Sequence, residues 1–295
     1  MLLNYKPHIE SDNFILAVSG GVDSVVLLDI LSNMNYKFVV AHYDHGIRSN
    51  SYEDKIFVEK LANKYNKPFF YAEGQLGSGA SEDFARNKRY EFLEKIKKDT
   101  HANLIVTAHH QDDEIETAII NILRGTGRLG ISSMQSNEYL SRPLLIFSKK
   151  EILEYAQTKN LNWVEDYTNL DTAYLRNRVR LQVIPKMSDL QRGKFLEYIK
   201  ISKELNKKIE PLLARLASQI QHKGRPVISR QKFISLPDNL SQELIHYLLR
   251  NLGYKNYDKK NIDNIAIGIK TLKPGKVIEF VGGKIIITKR SARFY

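Results

Sequence analysis

A six-residue stretch, Ser19-Gly20-Gly21-Val22-Asp23-Ser24, stands between two apolar runs, Phe14 to Val18 before it and Val25 to Leu28 after it. Such an arrangement reads as a tight turn leading from a buried strand into a helix. The first amides of that helix lack internal partners and its dipole is positive there, while two glycines let a ligand approach the backbone closely. An anion, and phosphate above all, is the ligand that this geometry favours. Ser19 and Ser24 add hydroxyl donors. Asp23 adds a carboxylate that would repel phosphate unless a divalent cation such as Mg²⁺ lies between them. As ordinary structure the same residues would be a glycine turn with a capped helix.

Further apolar runs follow at Lys37 to His42, Pro68 to Ala72 and Leu104 to Ala108, alternating with helical patterns at Ser24–Met34, Ser51–Tyr65, Glu82–Lys98 and Asp112–Leu123. Regular alternation of this kind predicts an α/β fold, a parallel sheet with helices on both faces. In open sheets of this class ligands bind at the carboxyl ends of the strands. The polar motifs fall at those ends.

After the second strand, His42 and His45, two histidines three apart with Asp44 between them, could hold a metal, but no further ligand is evident, and their position favours contact with nucleotide or substrate. A glycine-rich loop, Gly74 to Ala80, precedes a helix that Ser81 would cap, with Arg86 and Arg89 three apart on one face. The fourth strand runs into His109-His110-Gln111-Asp112-Asp113-Glu114-Ile115-Glu116. Asp113 and Glu116 share a helical face with His109 just before them. So many carboxylates near a phosphate loop suit a cation, an amine-bearing substrate or a proton acceptor. Three glycines at 125, 127 and 130 then end the helix and predict a mobile loop. A helix is predicted over Ser148 to Lys159. Arg176, Arg178 and Arg180 lie within five residues, Arg176 and Arg180 on one face, and suit phosphate.

Pro185 closes this part, so the predicted domains are 1–185 and 186–295. Charge separates them. Residues 186–295 hold 23 Lys and Arg against 9 Asp and Glu, whereas residues 1–185 hold 22 against 24. A near-neutral front fits a nucleotide site and a basic back fits a polyanion, with nucleic acid the leading candidate. The back part reads as a long helix from Ser188 to Gln221, helices at Ser241–Asn251 and Asn261–Leu272, and a terminal hairpin turning at Gly282-Gly283. Lys284, Lys289 and Arg290 on that hairpin, with Lys270 and tyrosines 254, 257 and 295 nearby, are the predicted RNA contacts. With no cysteine in the sequence, disulfides, thiolate metal sites and cysteine nucleophiles are excluded. No apolar run of about 18 residues indicates a membrane span, and no signal pattern opens the chain, so a cytoplasmic location is expected.

The stretch SGGVDS resembles the PP-loop of ATP pyrophosphatases, which cleave ATP between its α- and β-phosphates and adenylate a substrate. Together with HYDHGIRSN, ARNKRY, AHHQDDEIET, LRGTGRLGI, RPLL and EDYTNLDTAYLRNRVR, in that order between Phe14 and Pro185, it is similar to the tRNA(Ile)-lysidine synthases. The chain looks like a short form without their further C-terminal domain. Glu114 and Ile47 depart from the family's frequent glutamine and leucine and remove no assigned group.

This resemblance implies ligation of free lysine to carbon 2 of the wobble cytidine of a tRNA(Ile) with a CAU anticodon. ATP would adenylate that carbon, releasing pyrophosphate, and the lysine amine would displace AMP. It implies that Ser19, Gly20, Gly21, Val22, Asp23 and Ser24 hold ATP, with Mg²⁺ at Asp23. Asp23, His109, Asp113 and Glu116 would be catalytic, and Asp112, Asp113, Glu116, Arg86, Arg176, Arg178 and Arg180 would contact substrate. Which carboxylate is the base and which binds lysine stays open, as does self-association into a homodimer. The alternatives are another PP-loop tRNA-modifying enzyme with a different nucleophile, or a non-catalytic RNA-binding protein that keeps an old nucleotide fold.

Overall fold

In a computed structural model the chain is described for residues 2–34, 36–46, 51–74, 82–165, 172, 174–222, 226–255 and 257–295. Ile47 to Ser49, most of the loop before Ser81, Ser81 itself and the segment 166–171 therefore lie outside the described residues. Two compact units emerge: Met1–Ile120 with Ser133–Leu196, and Asn121–Ser132 with Glu197–Tyr295.

The first unit is built on strands β1 (Asn13–Ala17), β2 (Lys37–Asp44), β3 (Phe69–Glu73), β4 (Leu104–Val106) and β5 (Leu140–Ser141). All pair in parallel, in the order β3-β2-β1-β4-β5. Helices α1 (Val22–Ser32), α2 (Ser51–Lys64), α3 (Glu82–Asp99), α4 (Gln111–Leu123), α6 (Lys149–Thr158) and a short α7 (Leu175–Arg178) connect or follow them, with a short α5 (Arg128–Ile131) in the second unit. Successive strand residues face opposite sides. Thus Phe14 and Leu16 join a core with α1, α2 and α6, while Ile15 joins one with Leu93 and Ile96 of α3. Burial on both faces is why these strands read as unbroken apolar runs rather than alternating ones. A two-residue strand such as β5 has no run to read, and the sequence did not predict it.

The order of strands reverses at β1, whose neighbours are β2 on one side and β4 on the other. That reversal opens a crevice beyond the carboxyl ends of β1 and β4. The phosphate-loop candidate follows β1, and the acidic motif follows β4. Ion pairs and hydrogen bonds lock the helices that carry them. Asp29 of α1, buried, accepts hydrogen bonds from Tyr65 and from Tyr155 of α6, both at 2.7 Å. Burial, reinforced by the Asp29 carboxylate, pushes both phenols above their ordinary range. Ser148 and Glu151 form a reciprocal capping box at the start of α6.

In the second unit β6 (Val227–Ser229), β7 (Val277–Phe280), β8 (Gly283–Ile287) and β9 (Ser291–Phe294) form an antiparallel sheet in the order β6-β9-β8-β7. Helices α8 (Asp189–Ile220), α9 (Arg230–Ile234), α10 (Asp238–Asn251) and α11 (Lys259–Thr271) belong to this part of the chain, α8 beginning in the first unit. The hairpin expected from Gly282-Gly283 is present as β7 and β8, and two strands too short to predict extend it. Phe233, Leu244, Leu249, Ile265, Ile285 and Phe294 fill the core between helices and sheet. Arg230, buried, turns its guanidinium onto the carbonyls of Ile269 and Leu272 and so satisfies the C-terminal end of α11. The glycine-rich segment after α4 contains the short helix α5, and Arg128 within it pairs with Glu243 at 3.0 Å and Glu210 at 3.1 Å. That anchoring is the structural difference from a bare loop. Among the described residues no helix is long and apolar enough to cross a membrane.

Candidate active site

The turn after β1 takes the shape its sequence demands. Gly20 sits at φ +94°, a backbone conformation that side chains with a Cβ rarely adopt. Ser24 donates from Oγ to the Gly21 carbonyl at 2.8 Å and accepts from the Gly20 amide at 3.2 Å, closing the loop on itself. No side chain caps α1 at Gly21, so its first turn is left to an external anion. The Val164 amide donates to the Gly20 carbonyl at 3.0 Å and fastens the segment after α6 to the loop.

This loop opens into a cavity of about 750 Å³ lined by residues of the first unit. Ser19, Gly21, Val22, Asp23 and Ser24 line it, with His109, Asp113, Arg86, Arg176 and Arg180. His42, Asp44 and His45 at the end of β2 also line it. Glu116, Asp112 and Arg178 do not border the cavity. Glu116 is fully buried behind Arg180, and Asp112 pairs with Arg192 at 3.1 Å. Arg178, two residues from both Arg176 and Arg180, is exposed on another side of its helical turn.

Hydrophobic contacts bring the arginine segment to α4. Val179 and Ile184 pack with Ile115 and Ile120, which sets Arg180 against the acidic face of that helix. Its Nε donates to Glu116 Oε1 at 2.6 Å and its Nη2 to Glu116 Oε2 at 3.0 Å, a two-pronged pair. Nη2 also reaches Asp113 Oδ1 at 3.1 Å. Burial would push both carboxyls up. For Asp113 the neighbouring His110, His109 and Arg180, with a hydrogen bond from the His110 amide, outweigh that and hold it below the usual range. For Glu116 burial prevails over Arg180, and its carboxyl stays above the usual range. The His109 imidazole, whose Nδ1 lies 2.8 Å from Thr107 Oγ1, is driven down to about 3, chiefly by burial. It is a neutral imidazole at neutral pH.

Two residues that the sequence reading left out complete the geometry. Lys149, the first residue of α6, places Nζ 2.6 Å from Asp23 Oδ1 and lines the cavity. It puts a lysine beside the phosphate loop, whose own sequence contains none. Nothing local marks it, because it lies 126 residues from its partner. His110 is buried and caps α4: its Nδ1 accepts from the Asp112 amide at 3.2 Å. In the sequence it is the second histidine of a motif in which spacing alone does not separate its role from that of His109.

The exposed face of the second unit carries Lys284, Lys289 and Arg290. Other members of the predicted RNA-contact group are engaged within the fold. Lys270 pairs with Asp238 at 2.7 Å, and Tyr254 and Tyr257 pack against the core of the unit.

A family model described as a PP-loop domain matches residues 2–187. The tRNA(Ile)-lysidine synthase of Thermotoga sp. (strain RQ2) is 36% identical over 232 residues, 75% of this chain and 52% of that relative. The tRNA(Ile)-lysidine synthase of Bacteroides thetaiotaomicron is 31% identical over 285 residues, 92% of this chain and 65% of the relative. The chain thus spans about half the length of the first of these relatives and about two thirds of the second. Among solved structures, the tRNA thiolase NcsA of Methanococcus maripaludis with its iron–sulfur cluster superposes with a TM-score of 0.57 at 16% identity, covering 66% of this chain and 72% of the thiolase. That likeness is one of fold. The extent of the family match, which runs through the phosphate loop, the acidic helix and the arginine segment, establishes that this chain belongs to the PP-loop domain family.

Proposed function

We propose that the chain ligates free lysine to carbon 2 of the wobble cytidine of a tRNA(Ile) with a CAU anticodon, in the cytoplasm, at the expense of ATP. The observation that carries this reading is the convergence of a phosphate loop and a buried acid–arginine cluster on one cavity. The names of the similar relatives supply the substrates.

In the first step the cytidine carbonyl oxygen attacks the α-phosphorus and pyrophosphate leaves. Ser19 to Ser24 hold the phosphates through loop amides and the start of α1, with Lys149 alongside. Arg180, held flat by Glu116, lines the cavity and neutralises phosphate charge. Arg86 and Arg176 add to that field. In the second step the lysine amine attacks carbon 2, the bond to the adenylate oxygen breaks, and AMP leaves. The amine must lose a proton, and Asp113 is the carboxylate at the cavity wall that can take it or first bind the ammonium. Glu116, without access to the cavity, acts through Arg180. His109, neutral, offers a hydrogen bond to the reacting base.

A Mg²⁺ ion fits Asp23, since this ion is commonly held by one or two carboxylates together with substrate phosphates. It would neutralise the charge of the departing pyrophosphate. Among the described residues no group of three or more His, Cys, Asp or Glu side chains could hold a metal ion by itself. The part from residue 186 onward, with Lys284, Lys289 and Arg290 exposed, grips the tRNA backbone. A thiolating reaction is disfavoured because a cluster of the iron–sulfur kind needs thiolates, and this sequence has no cysteine.

The test incubates the protein with ATP, Mg²⁺, radiolabelled lysine and unmodified tRNA(Ile). Label should enter the RNA only when ATP is present, and Asp113→Asn should cut the rate by roughly 10²–10⁴-fold. ATP cleavage to AMP without label would leave the PP-loop chemistry standing and remove lysine as the nucleophile.

A further inference from the structure

His110 is placed to do more than cap a helix. Because its Nδ1 accepts from the Asp112 amide, the ring carries a proton on Nε2. That Nε2 lies 3.4 Å from Asp113 Oδ2 and 3.7 Å from Asp23 Oδ2. One carboxylate belongs to the helix after β4 and the other to the loop after β1. Each has its second oxygen held elsewhere: Asp113 Oδ1 by Arg180 at 3.1 Å, and Asp23 Oδ1 by Lys149 at 2.6 Å. The imidazole therefore stands at the middle of a chain Lys149–Asp23–His110–Asp113–Arg180 that crosses the crevice beyond β1 and β4. Asp113 Oδ2 also accepts from the His110 amide at 3.0 Å, so the ring Nε2 adds a longer electrostatic contact to it and is the group that links it to Asp23.

We infer that His110 is a positioning residue, whose Nε2–H holds Asp23 and Asp113 in register so that the phosphate half and the nucleophile half of the site act on one substrate. The inference rests on the proposed reaction for its kinetic consequence, but its geometry can be checked without it.

Two substitutions separate the bridge from the cap. In His110→Asn the side-chain oxygen can still accept from the Asp112 amide, asparagine being a good N-cap, but it is too short to reach both carboxylates. In His110→Gln the amide can occupy the Nε2 position and donate, while the cap is weakened. AMP formation from ATP with tRNA(Ile) and lysine, the KM for ATP and the thermal midpoint are measured for both and for the parent. The bridge predicts that His110→Asn keeps its thermal midpoint and ATP KM but loses roughly 100-fold in AMP formation, the scale of a 1 Å misplacement. His110→Gln should keep most of its rate despite a lower midpoint. Asparagine as active as glutamine, or more so, would overturn the bridge and leave a cap alone.

The second measurement is the ring spectrum of protein labelled with ¹⁵N-histidine, the signal of His110 being the one of eight histidines that disappears in His110→Gln. A proton on Nε2 with Nδ1 bare supports the bridge, and a proton on Nδ1 removes it. If the parent neither cleaves ATP nor transfers lysine, the proposed reaction fails, and this spectrum alone decides for or against the His110 geometry.

Discussion

In the first unit Asp113 and Glu116 of α4, the helix that follows β4, are buried, Glu116 against Arg180 and Asp113 against Arg180 and His110, in a stretch of chain with almost no net charge. In the second unit most of a large positive excess faces solvent, while Arg230 and Arg128 are spent on tying the fold together. The difference teaches what each kind of charge can do. Buried charges are held at fixed positions and change one another's protonation, which suits bond making at a chosen atom. Exposed lysines and arginines stay adaptable and act through the salt-dependent field that draws in a polyanion.

The comparison breaks first at Glu116. Removing it leaves Arg180 beside Asp113 without its two-pronged partner. Glu116→Ala should cost about 2–3 kcal/mol, toward the low end for a broken buried pair because the Arg180 side chain remains about a third exposed. Denaturant midpoints at constant slope measure this. A loss below about 0.5 kcal/mol, the scale of an ordinary surface change, would mean that the pair is not structurally buried in solution.

The second unit should behave in the opposite way. Replacing Lys284, Lys289 and Arg290 together with glutamine should leave stability and the ATP KM nearly unchanged. It should also flatten the slope of tRNA affinity against salt by up to about 0.7–0.9 per lost phosphate contact. A slope that does not move would take the terminal hairpin out of the RNA surface.

The smallest expected effect is in acid. The folded-state value of His109, about 3, lies below its ordinary 6.5, so the unfolded chain takes up this proton first. Its contribution to stability is whole above pH 6.5 and is lost as the pH falls from there toward 3. Between about pH 6.5 and 5.5 the parent should lose at most about 1.4 kcal/mol from this group. His109→Gln should lack that component, as urea unfolding at the two pH values would register. Equal losses in both proteins would mean that His109 binds its proton as readily in the folded chain as in the unfolded one.

The phosphate loop, the acidic motif and the alternation of strands and helices were legible because each is local. Glycines set a turn, apolar runs set strands, and spacing of three or four sets a helical face. The basic character of the second part was equally legible, since charge is a matter of composition. Which partners meet was not. Lys149 and Asp23 are far apart in the chain, as are Arg180 and Glu116, and no local pattern encodes such pairs. Spacing correctly placed Arg176 and Arg180 on one face, but it did not separate Asp113 at the cavity wall from Glu116 behind it.

Short strands were illegible for a related reason. In β5, β6 and β9 two to four residues gain their form from neighbours already in place rather than from any propensity of their own. Local pattern thus set the longer elements, the glycine turn after β1 and the chemical inventory of the candidate site. Tertiary structure alone decided the order of strands, the crevice at its reversal, and which charge faces which across it. The physical reason is that backbone preference and periodicity act over a few residues, whereas the burial that aligns a lysine, two carboxylates, a histidine and an arginine exists only once distant segments are packed together.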